Sequence, residues 1–215
     1  PELPDCERLF LVDFAYPAQE LAQLRERVPH ITILDHHKSA QAALTGIGEP
    51  PLRFDPDQAR PGLFVTFDME ESGATLAWRY FHPDTDCPEL LLYIKDRDLW
   101  HHALPASQAV NAAIRSYPYD FMVWAERLAD QHAITHLIPD GEAIVRKQVL
   151  DVDELSTAVM WMELEGHRVP VVNATGSVSD VGHRLCELFS DAPFSASYRD
   201  AGEDRREWSL RSVGD

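Results

Sequence analysis

The run Ile31-Thr32-Ile33-Leu34, passing directly into Asp35-His36-His37, constrains this chain more than any other stretch. Four aliphatic or β-branched residues with no polar alternation read as a strand covered on both faces, the kind found in parallel sheets. Open α/β sheets bind their ligands just beyond the carboxyl ends of such strands. A carboxylate and two imidazoles beginning where the strand stops are therefore placed for chemistry. A lone histidine there would read as a solvated strand end, whereas Asp-His-His suits a divalent cation.

A second strand makes the same point. Leu9-Phe10-Leu11-Val12 is another apolar run, and it ends at Asp13. Between the two runs, Leu21, Leu24 and Val28 recur at helical spacing within Pro17 to Val28. The resulting β-α-β unit has parallel strands joined by a right-handed crossover. Asp13 and His36 are then expected at one sheet edge, within reach of one ion.

Downstream, residues 38–61 read as a loop, and Phe64 to Phe67 as a short strand. A helix is expected from Ser72 through Leu76, Trp78 and Phe81, with Glu70 and Glu71 near its positive end. Pro88 to Tyr93 reads as a short helix leading into Lys95-Asp96-Arg97-Asp98-Leu99-Trp100, and His101-His102 as a partly exposed corner. Val110 to Leu128 reads as a helical stretch most of whose aromatic residues pack inward, with Arg115 a candidate phosphate contact. Around Ile138-Pro139-Asp140-Gly141 the pattern changes, and Asp140 is expected to cap a helix over 142–155. A hairpin over 160–172, a helix over 178–189 started by a Ser-Asp cap, and a hairpin over 194–211 across Gly202 then follow. The expected fold class is α/β: a parallel-sheet domain over residues 1–138, then a smaller α/β domain over 139–215. Asn173 and His183 lie at element ends of the second, near an expected cleft.

Charge narrows the partners. Against 19 basic residues stand 36 acidic ones, a formal net charge of -17 over 215 residues. Long duplex nucleic acid, which is held by Lys and Arg on phosphates, is a poor partner for such a surface. Small phosphorylated molecules remain compatible, because bound cations reverse the field locally. Cys6, Cys87 and Cys186 are odd in number and widely spaced, which suits reduced thiols and a cytoplasmic setting. No apolar run approaches the ~20 residues of a membrane-spanning helix, and Pro1 to Arg8 does not resemble a secretory signal. No phosphate-binding glycine loop, nucleophile elbow or His-Glu-x-x-His stretch is present.

Val12-Asp13-Phe14, Asp35-His36-His37, Ser72-Gly73-Ala74 and Asp96-Arg97-Asp98 stand in an order and spacing that resembles the DHH-family phosphoesterases. That superfamily includes RecJ-type exonucleases, nanoRNases, cyclic-dinucleotide phosphodiesterases and manganese-dependent pyrophosphatases. The resemblance implies a DHH domain followed by a substrate-binding domain, two Mn2+ ions in the complete protein, and hydrolysis of phosphate esters. It assigns Asp13, His36 and Asp96 as metal ligands, with Asp98 competing with Asp96. His37 would stand nearer the substrate, as phosphate contact or proton donor, and Asp35 would orient an imidazole. The small Ser72-Gly73-Ala74 segment would let a helix start approach the metal; Ser72 itself reads equally as a substrate contact or an N-cap. His183 is a further candidate, more often a packed or surface residue on a helix.

The implied substrate is a small nucleotide or a short single-stranded oligonucleotide. A non-catalytic nucleotide-binding relative and a pyrophosphatase-like hydrolase are the alternatives, and a homo-oligomer is compatible with the sequence. Two motifs of the family have no match here, a metal-binding His-x-Asp-x-Asp type segment ahead of Asp13 and a closing glycine-rich His-containing segment, which reads as a fragment truncated at both ends or a divergent relative that has lost both. On that reading the 215-residue piece is expected to be inactive or weak.

Overall fold

The computed structural model describes residues 5–51, 53–57, 60–130, 132–202 and 205–213. The polar start Pro1-Glu2-Leu3-Pro4 and the closing Gly214-Asp215 lie outside the described residues. The chain divides into two compact units, Pro1–Gly141 and Glu142–Asp215. Both are of mixed α/β type.

In the first unit, β1 (Arg8–Val12), β2 (His30–Asp35) and β3 (Gly62–Phe67) form a parallel sheet in that order, with Val12 opposite Leu34 and Asp35 opposite Phe67. The apolar runs explain it. Along β2 every residue after His30 is buried, and Ile31 and Ile33 are wholly so. Each such side chain contributes about 1.5–3 kcal/mol of burial. One face of the sheet packs on Leu21 and Val28 from the α1 region (α1, Ala18–Arg25). On the other, Phe10 meets Phe81 of α3 (Gly73–Phe81) edge-on, 5.0 Å between ring centres. Residues 38–61 are not all loop: α2 occupies Lys38–Ala43, a short Ala-rich helix with no buried residue and so no apolar stripe to betray it.

Three further helices, joined by Leu137 of a fourth described below, build an all-helical cluster around Tyr93, Val110 and Ile114. They are α4 (Glu89–Asp98), α5 (Ser107–Ile114) and α6 (Phe121–Ala129). The expected single stretch over 110–128 is thus two helices. Pro118 lies in the break, and Asp120 restarts the chain by accepting the Met122 and Val123 amides. The aromatics of that turn do not all pack inward. Tyr119 and Phe121 are 88% and 97% exposed, Tyr119 stacking locally on Trp124.

α7 (Ala133–Thr157) corrects the expected cap at Asp140: the helix runs for 25 residues with Pro139 inside it. Pro139 supplies no N–H and removes one helical hydrogen bond, but it is exposed, so the freed carbonyl can turn to water. Gly141 is not a linker residue either. A Cβ there would stand 1.9 Å from the Ala109 carbonyl oxygen, so the glycine permits a close backbone approach of α7 to α5.

In the second unit, β4 (Met160–Leu164), β5 (His167–Asn173), β6 (Ser195–Asp200) and β7 (Arg206–Arg211) form one sheet in sequence order. The outer pairs are antiparallel and the β5–β6 pair is parallel. Glu165 and Gly166, both at positive φ, make the two-residue turn of the first hairpin. α8 (Val178–Leu188) crosses from β5 to β6, burying Val181 and Leu185. Its start is uncapped by any side chain: Ser177 is left-handed, and Ser179-Asp180 lies inside the helix.

α3 and α4 are tied by charge. Glu71, just before α3 and 5% exposed, pairs with Lys95 of α4 at 2.9 Å and Arg79 of α3 at 2.6 Å. Burial pushes its carboxyl up, but the Lys95 ammonium, the Thr75 hydroxyl and the Arg79 guanidinium outweigh it and hold it below its ordinary value. A depressed carboxyl adds stability above its unfolded value and loses it as pH falls through the folded one. Glu71→Gln is therefore expected to cost stability at neutral pH. The gap to wild type should shrink progressively below about pH 4.5, as urea titrations across pH would show; a gap independent of pH would contradict this role.

Candidate metal centre

The carboxyl ends of β1 and β2 bring the first candidate residues together. Val12 and Leu34 are register partners, so Asp13 and Asp35-His36-His37 leave the sheet side by side. The Asp13 amide donates to the Leu34 carbonyl at 2.9 Å, and its φ of 65° turns the chain sharply there. Left-handed backbone is uncommon outside glycine but is tolerated best by Asn and Asp. His36 Nε2 stands 2.9 Å from Asp13 Oδ1 and 3.3 Å from Asp98 Oδ2. One ligand atom from each of Asp13, His36 and His37 lies within 4.8 Å of the others.

Asp35 works from beneath. It is wholly buried, and its Oδ1 accepts from the His36 and His37 amides and meets His37 Nδ1 at 2.7 Å. The expected orienting carboxylate is thus in place, and the ring it orients is His37. That hydrogen bond, opposed by partial burial and reinforced by the charges of Asp35, Asp13 and Asp98, raises the His37 pKa. Asp98 is pushed up as well, chiefly by burial, with His36 opposing and Asp13 adding to the rise.

Asp96 does not join the cluster, correcting its assignment as a ligand. It continues the buried stripe Leu90, Tyr93 along α4, whereas Asp98 lies two residues on, about 200° around the helix at 3.6 residues per turn. The Asp96 carboxylate accepts from the Ala103 and Leu104 amides at 2.9 and 3.3 Å, and its carbonyl accepts from the His101 amide. It shapes the corner in which Trp100 and His102 take positive φ. Burial pushes its carboxyl up, and the nearby Ser107 hydroxyl with the two amides outweighs this to hold it below its ordinary value. The helical phase of Leu90, Tyr93 and Asp96 was the signal that distinguishes the two aspartates.

The remaining candidates fall elsewhere. Ser72 is 1% exposed and caps α3: its hydroxyl accepts from the Thr75 amide while the Thr75 hydroxyl accepts from the Ser72 amide. It is committed to that capping box and offers no surface to a substrate. The small segment matters through Gly73 instead, where a Cβ would lie 2.4 Å from Asp13 Cβ. Arg115 is exposed at the end of α5 and forms no ion pair with the cluster among the described residues. His183 is a surface residue of α8, 3.5 Å from Glu187, in the other unit. A cavity of about 220 Å³ in that unit is lined by Ala174, Ser197, Tyr198 and Trp208, next to Asn173 at the end of β5.

The donor set fits a divalent ion. Two ligand atoms each about 2.1 Å from one ion stand about 3.0–3.4 Å apart, and mixed carboxylate–imidazole ligation suits manganese or zinc. The 2.9 and 3.3 Å separations at His36 Nε2 match that spacing. Asp96→Asn is accordingly expected to cost about 1–3 kcal/mol, because an amide facing two N–H donors leaves one unpaired, with metal affinity retained. Asp98→Asn should do the reverse. Parallel urea unfolding and manganese titration check the pair, and metal loss in Asp96→Asn with unchanged stability would contradict it.

Fold and site together define an α/β protein with a carboxylate–imidazole cluster at the carboxyl edge of a parallel sheet. No family model matches the chain. An uncharacterized protein of Acanthamoeba polyphaga mimivirus is 25% identical over 214 residues, covering 97% of this chain and 48% of its own length. The chain thus spans about half the length of that curated relative. The crystal structure of an uncharacterized protein from Helicobacter pylori aligns over 96% of this chain and 69% of its own, at 12% identity and a TM-score of 0.40. Among the described residues, no helix is long and apolar enough to cross a membrane.

Proposed function

We propose that the whole protein is a metal-dependent phosphoesterase of the DHH type, acting on small nucleotides or short single-stranded oligonucleotides. The observation that carries this is the convergence of Asp13, His36 and His37, with Asp98 beside His36, at the ends of adjacent parallel strands. Asp13, His36 and Asp98 would hold the divalent ions, with manganese the choice that the family resemblance implies and the donors permit. When bound, such ions lower the pKa of a water and neutralise charge on the phosphoryl group. The chain's own residues do the rest. Asp35 fixes His37 through Nδ1, which leaves the other ring nitrogen for contact with the phosphate or proton transfer to the leaving oxygen. The raised His37 pKa supports the donor role. The strong negative charge favours a small substrate over a long duplex.

Hydrolysis of a short oligonucleotide by the full-length protein, with added manganese, tests the reading. Turnover is expected, with Asp13→Ala and His36→Ala losing it. Absence of turnover with the ions bound would instead support the non-catalytic binding protein.

A further inference from the structure

We propose that His132 and His136 form a second metal site, selective for Zn2+, Ni2+ or Cu2+ and independent of the Asp13 cluster. α6 ends at Ala129 with Asp130 as its C-cap, and α7 begins at Ala133. The His136 amide donates to the His132 carbonyl at 3.0 Å, so the two imidazoles project one helical turn apart on the same face. Their ring centres are 6.1 Å apart. Two imidazoles on one tetrahedral ion, with bonds of about 2.0 Å, have centres about 5 Å apart, so a side-chain adjustment of about 1 Å closes the site.

Asp130 prepares it. Its Oδ1 accepts from the His132 amide at 2.8 Å, and its Oδ2 meets His136 Nδ1 at 3.0 Å. With Nδ1 engaged as the donor, the lone pair of His136 is on Nε2, the outward nitrogen. A carboxylate behind a histidine is the arrangement that fixes the tautomer and raises the basicity of metal-bound imidazoles. Both histidines are exposed, so an ion reaches them with water completing its coordination. Two imidazoles without a direct carboxylate rank late first-row ions far above Mn2+ or Mg2+. That preference separates this site from the carboxylate-rich centre. The ion would brace the turn between α6 and α7, whose Leu128, Ile134 and Leu137 belong to the helical core.

Zinc or nickel titration by calorimetry tests this on the full chain carrying His36→Ala, which removes the main cluster from the count. One bound ion is expected. His132→Ala/His136→Ala in that background should abolish it, and Asp130→Asn should weaken it by about tenfold to a hundredfold. Should the double substitution disturb folding, His132→Gln alone, checked by circular dichroism, gives the same loss. Stoichiometry and affinity unchanged in the folded His132→Gln protein would overturn the proposal, as would equal affinity for Mn2+ and Ni2+. Neither result would bear on the phosphoesterase reading.

Discussion

Gly141→Ala is expected to cost about 3–5 kcal/mol of stability, enough to leave a marginal domain largely unfolded. Helix propensity alone points the other way, since alanine inside a helix gains about 1 kcal/mol over glycine. The added methyl, however, would stand 1.9 Å from the oxygen and 2.4 Å from the carbon of the Ala109 carbonyl. That carbonyl belongs to the middle of α5, where a rotamer change cannot relieve the clash. Either α7 or α5 must retreat, opening the packing around Val110, Ile114 and Leu137. Urea denaturation measures the effect directly. A variant within 1 kcal/mol of wild type would show that the two helices slide apart at little cost.

Gly73→Ala is the second large effect, and it should appear in both stability and metal binding. Gly73 is the first residue of α3, where the capping box of Ser72 and Thr75 fixes the backbone. A methyl there meets Asp13 Cβ at 2.4 Å and Oδ1 at 2.6 Å. Asp13 is already held in left-handed backbone by its amide bond to Leu34, so it has little room to yield. Overpacking of this kind costs about 1–3 kcal/mol. Manganese affinity should fall at least tenfold, about 1.4 kcal/mol, because Oδ1 is the atom facing His36. Intact affinity in this variant would remove Asp13 from the candidate metal centre.

The strand framework was legible because β2 is covered on both faces and the half-buried β1 still carries an uninterrupted apolar run, with polar residues where the sheet stops. Asp13 and His36 could be paired across the sheet from that alone. Asp35 was legible as an orienting group, though local geometry decides that it grips His37. The errors have physical reasons too. Asp96 and Asp98 share a composition and differ only in helical phase. Pro139-Asp140-Gly141 has the residue types of a turn, yet an exposed proline and a glycine under a crossing backbone are equally at home in a long helix. Hydrophobicity alone puts most aromatics of this stretch inside, but Tyr119 and Phe121 sit exposed in the turn that restarts α6 at Asp120. Ser72 offered two readings, and its burial with Thr75 selects the cap.

The sheet order β1-β2-β3 has a consequence for biogenesis. β2 and β3 each pair with the strand synthesised immediately before, so these three strands can join in chain order, without waiting for a later segment to thread between strands already paired. Short sequence separation between pairing partners speeds assembly, and nascent domains fold from the N-terminus as synthesis proceeds. Asp13 and His36 can thus meet once the nascent chain carries β2. Gly73 and Asp98 reach that nucleus later, from α3 and α4. A ribosome stalled after β3 would hold the strand-end half of the candidate site before α3 and α4 exist.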